Sequence, residues 1–459
     1  MANTQANLSW RKLIVILVIL VYNSYIANIE ERRLILMEYA VQSNVIRGLT
    51  KEQHQILTEL CQYSNNLYNV ALYNIRQYFF AQNKFLIYES NYHECKDNEN
   101  YSLLQAGVAQ QTMKVVDRSF KSFFNLLKKC KQGEYRYNDV KIPHYRKKGE
   151  LFNLVLSTNA ISIKNGYFKI PMSREYRKLK NYKDDIKIPF SSRLQDKTIK
   201  EVRILPCSNG KYFKVQYVYV VEQEIKTLDK DKVMAIDIGV ENLATCVSNV
   251  MTPFIMDGRR IKSINQYWNK QMAKYKSIAM KQQKTSKVTT NRIQRLTTKR
   301  NNQVNDCIKK TARYIINQCI ENGIGTLIVG YNKDFKRSVN IGKQNNQNFT
   351  QLPFGSLREQ LEFLCWKYGI AYIEVEESYT SKSSFLDNDE LPEYKAEQPY
   401  TKGFSGKRIK RGLYQSKNGT ILNADVNGAY NILRKGKQDF TYEELASGLL
   451  ASPLRIRLL

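Results

Sequence analysis

The chain has 459 residues, enough for two or three domains that each bury a core of their own. Its 72 Lys and Arg against 42 Asp and Glu give a formal net charge of +30, and such a surplus repels itself unless a polyanion binds it. Because neutralising phosphates is the commonest use of this surplus, the composition predicts a nucleic-acid-binding protein without saying which nucleic acid.

The eight cysteines are scattered and form no CxxC pair, which argues against a disulfide framework and against a zinc ribbon. With only three histidines in the chain, a catalytic metal would have to be held by carboxylates. Ligands of this kind select a hard cation such as Mg²⁺ or Mn²⁺. The sequence therefore predicts a reduced, cytoplasmic protein with no zinc.

An apolar run at 13–22 follows Arg11 and Lys12 and looks like a short signal-peptide core. It is too short to span a bilayer comfortably, and no usual cleavage site is evident after it. We expect 1–36 to be an extension outside the fold, with translation beginning at Met37, and we expect no membrane partner. A membrane-tethered variant is the alternative.

The N-terminal half alternates between strand and helix signals. Residues 37–48 alternate as a strand does, and Thr50 with Gln53 predicts the capping box of a long helix. A second helix is predicted over 102–131, where an aromatic stripe at helical spacing favours core packing over stacking on bases. Short strands with Asn-Gly turns over 141–224 predict hairpins. This order predicts a β-barrel interrupted by a helical domain.

The C-terminal half follows a predicted polar linker at 225–231. VMAIDIGV (233–240) is typical of a buried strand with one charge, and LATCVS follows as its partner. After a basic helical stretch come strand TLIVGY (326–331), a helix, strand IAYIEVEE (370–377) and a last helix opened by NADVNGAYNIL (423–433). The order is typical of an RNase H-like α/β domain.

The basic stretch from 259 to 300 contains no acidic residue, whereas a solvated helix face normally mixes charges at i,i+4 spacing. We therefore predict that it contacts phosphates. The candidate residues are Arg259, Arg260, Lys262, Lys270, Lys274, Lys284, Arg292, Arg295, Lys299 and Arg300.

Acidic residues at three places predict a metal site. Asp237 lies in an apolar strand, where an ionised carboxylate is costly unless it is paired, protonated or metal-bound. Asp425 begins the last helix and, alone, is best explained as an ordinary cap. If both meet Glu376 or Glu377 at one end of a sheet, the acids can hold two Mg²⁺ ions about 3.5–4 Å apart beside a phosphodiester. Asp-x-Gly also opens sugar-kinase and actin-like ATPases, but their other phosphate and adenosine motifs are missing here.

Three segments resemble the landmarks of the TnpB, or OrfB-type, insertion-sequence proteins, which are related to type V CRISPR nucleases. They are AIDIGVENLATC (235–246), YTSK (379–382) and NADVNGAYNIL (423–433). The opening MEYAVQSNVIRGLTKEQHQIL (37–57) is similar as well. Asp237 and Asp425 match the family's first- and third-motif aspartates.

The resemblance implies a multi-domain α+β protein that acts as a transposon-encoded, RNA-guided DNA endonuclease. Its cofactor would be Mg²⁺ or Mn²⁺, and its partners a guide RNA from the transposon end and a double-stranded DNA target. The implied domains are a wedge β-barrel at 37–50 and 136–228, a helical recognition insert at 51–135, a RuvC nuclease domain at 229–435 and a C-terminal tail at 436–459.

Two departures from the family pattern matter. Gly330 stands where the family's second-motif glutamate ends its strand, and SKSSFLDNDELPEY (381–394) replaces the cysteines of the family's zinc ribbon. We expect an active, rearranged site in which Glu377 is catalytic, because it precedes the SYTSK turn while Glu376 points to the opposite face. The alternative is a nuclease-inactive, RNA-guided DNA-binding protein. A transposase that joins DNA ends is disfavoured, since no nucleophilic Tyr motif with paired His is evident.

Overall fold

The computed structural model describes residues 39–283, 289–331, 347, 350–394, 400–440, 445 and 452–458. They fall into two compact units that divide after Val221. The expected extension at 1–36, the proposed start at Met37 and the candidate Lys284 lie outside the described residues. Among those described, no helix is long and apolar enough to cross a membrane.

The helices of the first unit follow the predicted pattern with one correction. They are α1 Lys51–Gln82, α2 Tyr88–Cys95, α3 Glu99–Ser102, α4 Ala106–Lys131 and α5 Arg174–Lys180. The capping box of Thr50 and Gln53 is confirmed. The second predicted helix is confirmed as α4, but it begins at Ala106 and not at 102, because the Gln105 side chain caps it by accepting from the Val108 N–H. Phe120 in its aromatic stripe is fully buried, as core packing requires.

The strands of the first unit form two antiparallel sheets. They are β1 Tyr39–Val45, β2 Leu154–Ser157, β3 Ser162–Lys164, β4 Tyr167–Lys169, β5 Lys187–Pro189, β6 Ile199–Cys207 and β7 Tyr212–Val220. One sheet has the order β1-β7-β6-β2 and the other β3-β4-β5. Both predicted Asn-Gly hairpins are confirmed, with Asn165, Gly166, Asn209 and Gly210 all at positive φ. The barrel itself stays a prediction.

The second unit is built on a six-stranded mixed sheet with the order β12-β11-β8-β9-β10-β16. Its strands are β8 Asp229–Asp237, β9 Asn242–Ser248, β10 Phe254–Asp257, β11 Ile324–Tyr331, β12 Ala371–Glu376 and β16 Leu454–Ile456. A small sheet of β13 Lys407–Lys410, β14 Leu413–Gln415 and β15 Ile421–Asn423 lies outside it. The helices are α6 Arg259–Gln283, α7 Asn291–Glu321, α8 Phe354–Tyr368 and α9 Ala424–Gly436.

Both faces of the six-stranded sheet are covered, which explains the continuous apolar run in β8. Met234 and Ile236 pack into one core with side chains of α6, α7 and α8. Val233 and Ala235, on the alternate face, pack into a second core with α9. The sheet therefore holds α9 directly against β8.

Two predictions about this unit are corrected. Residues 229–231, placed in the linker, begin β8, where Asp229 pairs with Ile324. Residues 454–456, placed in a C-terminal tail, add β16 to the sheet by pairing parallel with β10. Their alternation explains this position, because Ile456 packs against the core while Arg455 turns to the other face.

Candidate active site

Asp237 is the last residue of β8, so its predicted position in the middle of the strand is wrong. β8 lies between β11 and β9, where Ile236 pairs with Val329 on one side and Cys246 on the other. Asp237 itself pairs with Thr245. The buried run of the strand ends at this point, and the Asp237 side chain faces a cleft.

Asp425 is the second residue of α9 and does not cap it. The cap is Asn423, whose Oδ1 accepts from the backbone N–H groups of Asp425 at 3.0 Å and Val426 at 3.2 Å. The Asp425 carboxylate is therefore left for other partners. Its Oδ2 accepts a hydrogen bond from the Asn242 side chain, and its Oδ1 lies 3.4 Å from Arg408 Nη2.

Helix α9 approaches β8 closely because residue 428 is glycine. A β-carbon at Gly428 would lie 3.0 Å from Asp237 Oδ2. Gly428 is three residues after Asp425 and therefore on the same side of the helix. Asp237 and Asp425 consequently line one cleft of about 550 Å³.

Carboxylates and guanidinium groups both line this cleft. The charged residues that line it are Asp237, Glu241, Asp425, Arg408, Arg411 and Arg455. Glu241 is neutralised by Lys262 Nζ at 2.7 Å and Arg411 Nη2 at 2.9 Å, and the hydrogen bond from Lys262 lowers its pKa. Among the described residues, no group donates a hydrogen bond to the Asp237 carboxylate.

Glu376 and Glu377 point in different directions, as the sequence predicts. Glu376 accepts from the Ser378 N–H at 2.8 Å and from Lys435 Nζ at 3.0 Å. Burial opposes ionisation of Glu376, but these bonds outweigh it and lower its pKa. Glu377 turns towards β11, and its Oε2 lies 3.0 Å from the position that a β-carbon on Gly330 would take. Glu377 is not among the residues that line the cleft of Asp237 and Asp425.

The electrostatics at the end of β8 favour a neutral or cation-bound carboxyl. Burial, followed by repulsion from Glu377 and Asp425, raises the pKa of Asp237 to about 8, although Arg408 opposes the shift. Burial and the charge of Glu376 raise the pKa of Glu377. Within the described part of the chain, no three His, Cys, Asp or Glu side chains are grouped closely enough to hold a metal ion.

The predicted basic stretch forms α6 and α7. Four of its cations make contacts within the fold. Arg259 contacts Asp257, and Arg260 donates to the Leu458 carbonyl. Lys262 contacts Glu241, and Arg300 donates to Asn265. The Arg292 guanidinium lies 4.2 Å from the centre of the Tyr275 ring. Lys270, Lys274, Arg295 and Lys299 are exposed and have no acidic partner in the described ranges, so this part of the stretch presents free positive charge.

The asparagines of NADVNGAYNIL fix the segment after Glu377. Asn427 is fully buried, donates to the Ser383 carbonyl at 2.8 Å and accepts from the Phe385 N–H at 3.0 Å. Asn431 donates to the Thr380 and Ser383 carbonyls at 2.9 and 2.7 Å. The motif that carries Asp425 therefore also positions the turn that follows β12.

Comparison with known proteins matches two family models in succession. Residues 216–336 match OrfB_IS605, described as a probable transposase, and residues 354–432 match the Cas12f1-like TNB domain. The TnpB-like protein ORF457 of Acidianus two-tailed virus is 24% identical over 432 residues, which cover 86% of each chain. These matches support a TnpB-type family, related to the type V nucleases, for this chain.

The chain also resembles a solved structure, that of a Cas12f1–sgRNA–target DNA complex. The two chains share 18% sequence identity and a TM-score of 0.56, and 83% of each is covered. At this identity the likeness concerns the fold, a mixed α+β architecture.

Sequence reasoning missed several residues at the site, among them Asn242, Arg408, Gly428 and Arg455. Asn242 and Gly428 lie in the two quoted motifs that contain Asp237 and Asp425. Their place in these motifs was the sequence signal that could have identified them. Arg408 and Arg455 lie outside every motif, in short basic strands, and only the fold brings them to the cleft.

Proposed function

We propose that this TnpB-type protein is a transposon-encoded, RNA-guided DNA endonuclease whose active site is the cleft between β8 and α9. The observation that carries the proposal is the meeting of Asp237 and Asp425 in one cleft, where Asp237 is repelled by two acids and receives no hydrogen bond from the part of the chain that the structure describes. Perturbed carboxyl groups of this kind are concentrated at functional sites. The family match and the Cas12f1-like fold support the same function.

The chemistry of the donors fits Mg²⁺ or Mn²⁺, since every candidate ligand is a carboxylate oxygen. Asp237 and Asp425 would hold the ions from the cleft, and Glu377, which lies outside the cleft but repels Asp237, would have to turn towards them to complete the site. When bound, the ions would supply an activated water and stabilise the leaving 3′ oxygen of a phosphodiester. Asp237 binds a proton in the free protein up to about pH 8, so a cation would replace that proton.

The other residues of the cleft have supporting roles in this proposal. Asn242 holds Oδ2 of Asp425 and so orients its carboxylate. Arg408 and Arg411 each bridge to an acid of the cleft and expose much of their guanidinium groups, which suits them to contact the phosphates that flank the scissile bond. Lys435 holds Glu376 away from the cleft and leaves Glu377 as the third acid.

The arrangement of the rest of the chain supports the same proposal. The strand order around β8 suits an RNase H-like, RuvC-type domain at 229–435, now extended by β16. The first unit would comprise the wedge barrel and the recognition insert. The free cations of α6 and α7 would contact the guide RNA or the double-stranded DNA target, and we place the protein in the cytoplasm.

Cleavage by the purified protein tests the proposal. The protein, its co-purifying RNA and Mg²⁺ are incubated with a plasmid library that carries the matching target beside randomised flanking sequence, and the bound RNA is sequenced. We expect cleavage that depends on the RNA and is abolished by Asp237→Asn. Cleavage that survives Asp237→Asn would refute the site.

The second candidate is a nuclease-inactive protein that holds guide RNA and target DNA and acts by occupancy. The observation that favours it is Gly330, which leaves no acid on β11 at the family's second-motif position. RNA-dependent target binding without cleavage at any Mg²⁺ or Mn²⁺ concentration would establish this alternative.

A further inference from the structure

Strand β16 brings a cation to the candidate active site from a distant part of the sequence. β16 pairs parallel with β10, with Arg455 opposite Ile255, and the Leu454 N–H donates to the Pro253 carbonyl at 3.0 Å. Ile456 packs into the core on one face of the sheet. Arg455 faces the other way and lines the cleft that contains Asp237.

A nearly buried carboxylate holds this arginine together with two others. Asp257, whose side chain is 7% exposed, contacts the Arg259 guanidinium and lies 3.7 Å from Arg455 Nη1 and 3.6 Å from Arg457 Nε. Three guanidinium groups around one carboxylate leave an excess of two positive charges at the edge of the cleft. Arg455 thus keeps hydrogen-bond donors to offer, on a side chain held by sheet pairing and by Asp257.

We infer that Arg455 binds a backbone phosphate of the DNA strand that occupies the cleft, a role that rests on the proposed nuclease function of this site. The planar guanidinium matches phosphate oxygens, and it lies on the wall of the cavity that holds the candidate ligands Asp237 and Asp425. Its contribution is to position the strand. Arg457 shares the anchor Asp257 but is 73% exposed and does not line the cleft, so it provides a matched control.

The test is the salt dependence of DNA binding by the RNA-loaded protein in EDTA, measured by fluorescence anisotropy with a single-stranded DNA complementary to the guide. We expect Arg455→Gln to weaken binding by about 5- to 20-fold and to reduce the slope of log K against log salt by about 0.7, the value for one phosphate contact on a single strand. Arg457→Gln should leave both unchanged, and Arg455→Lys should restore the slope.

Equal effects of Arg455→Gln and Arg457→Gln on the slope would overturn the inference, because both variants remove one ion pair to Asp257. Thermal melting of the two variants verifies that both remain folded. Since the assay needs no cleavage, failure of the nuclease proposal leaves the difference in slope intact. Failure of this inference would instead appear as identical slopes in a protein that cleaves DNA with Mg²⁺.

Discussion

The carboxylate of Glu377 lies beside Gly330, so close that a β-carbon on residue 330 would be 3.0 Å from Glu377 Oε2. Gly330 follows Val329, which pairs with Ile236 one residue before Asp237. Glu377, the residue that follows β12, therefore reaches the strand position where the family pattern has a glutamate. The absence of a side chain at residue 330 leaves room for this carboxylate.

Replacing Glu377 by Gln should reduce DNA cleavage by about 100-fold or more, since it removes one of the three carboxylates that would hold the metal ions. Glu376→Gln is the matched control and should stay within about threefold of wild type, because Glu376 pairs with Lys435 outside the cleft of Asp237 and Asp425. Both rates are measured under single-turnover conditions with saturating RNA. A larger loss of cleavage in Glu376→Gln than in Glu377→Gln would show that Glu376 is the catalytic glutamate.

Gly330→Ala should destabilise the protein by about 1–3 kcal/mol through overpacking, because its β-carbon would lie 2.5 Å from Ile432 Cδ1. It should also slow cleavage by displacing Glu377. Gly355→Ala is the control, since a β-carbon there meets nothing within 4 Å in helix α8, and it should be neutral or stabilising by up to about 1 kcal/mol. Urea unfolding checks both, and a Gly330→Ala variant as stable as Gly355→Ala would contradict the packing.

The metal-free protein should lose stability as the pH rises to about 8. The pKa of Asp237 is raised in the folded state to about 8 by burial and two neighbouring acids, while an unfolded aspartate titrates near pH 4. A group whose pKa is higher in the folded than in the unfolded protein contributes its full stabilisation at pH values below its unfolded pKa. This contribution is lost as the pH rises through its folded pKa.

The free energy of unfolding in EDTA should therefore fall between roughly pH 4 and 8, by at most about 1.4 kcal/mol per pH unit for this group. Asp237→Asn should flatten the profile in that window, and Mg²⁺ should restore stability at high pH to the wild type only. Parallel profiles for wild type and variant would show that Asp237 ionises freely in the fold.

Asp389 should stabilise the segment that stands in place of the family's zinc ribbon. Its carboxylate accepts from the Ser384 N–H at 2.8 Å and from the N–H and hydroxyl of Ser405 at 3.0 and 2.6 Å. Asp389→Ala should cost about 1–3 kcal/mol, because it leaves the N–H of the buried Ser384 without its acceptor, whereas the donors of exposed Ser405 can bond to water. Glu390→Ala, which removes an exposed pair with Lys402, should cost less than about 1 kcal/mol. Chemical denaturation compares the two, and equal costs would contradict the role of Asp389.

The elements and the acids were predictable because their signals are local. The capping box at Thr50, the Asn-Gly hairpins and the apolar run before Asp237 each depend on a few neighbouring residues, and each is found where predicted. The opposite directions of Glu376 and Glu377 follow from the two-residue period of a strand.

The rest of the site depends on contacts between distant segments. Arg408 reaches Asp425 from a separate small sheet, and Arg455 reaches the cleft only because residues 454–456 extend the main sheet. A strand of three residues carries too little periodicity to be recognised, so the sequence placed it in a tail. The cap at Asn423 was missed because Asp425 two residues later is an equally good capping residue by type.

The dependence of the cleft on helix α9 has a consequence for biosynthesis. While the chain is still emerging from the ribosome, β8 and β9 can pair, but Asp237 lacks both of its acidic neighbours until residues 377 and 425 have been made. Translation is slow compared with the formation of a hairpin. The cleft is therefore completed only after the first unit has had time to fold.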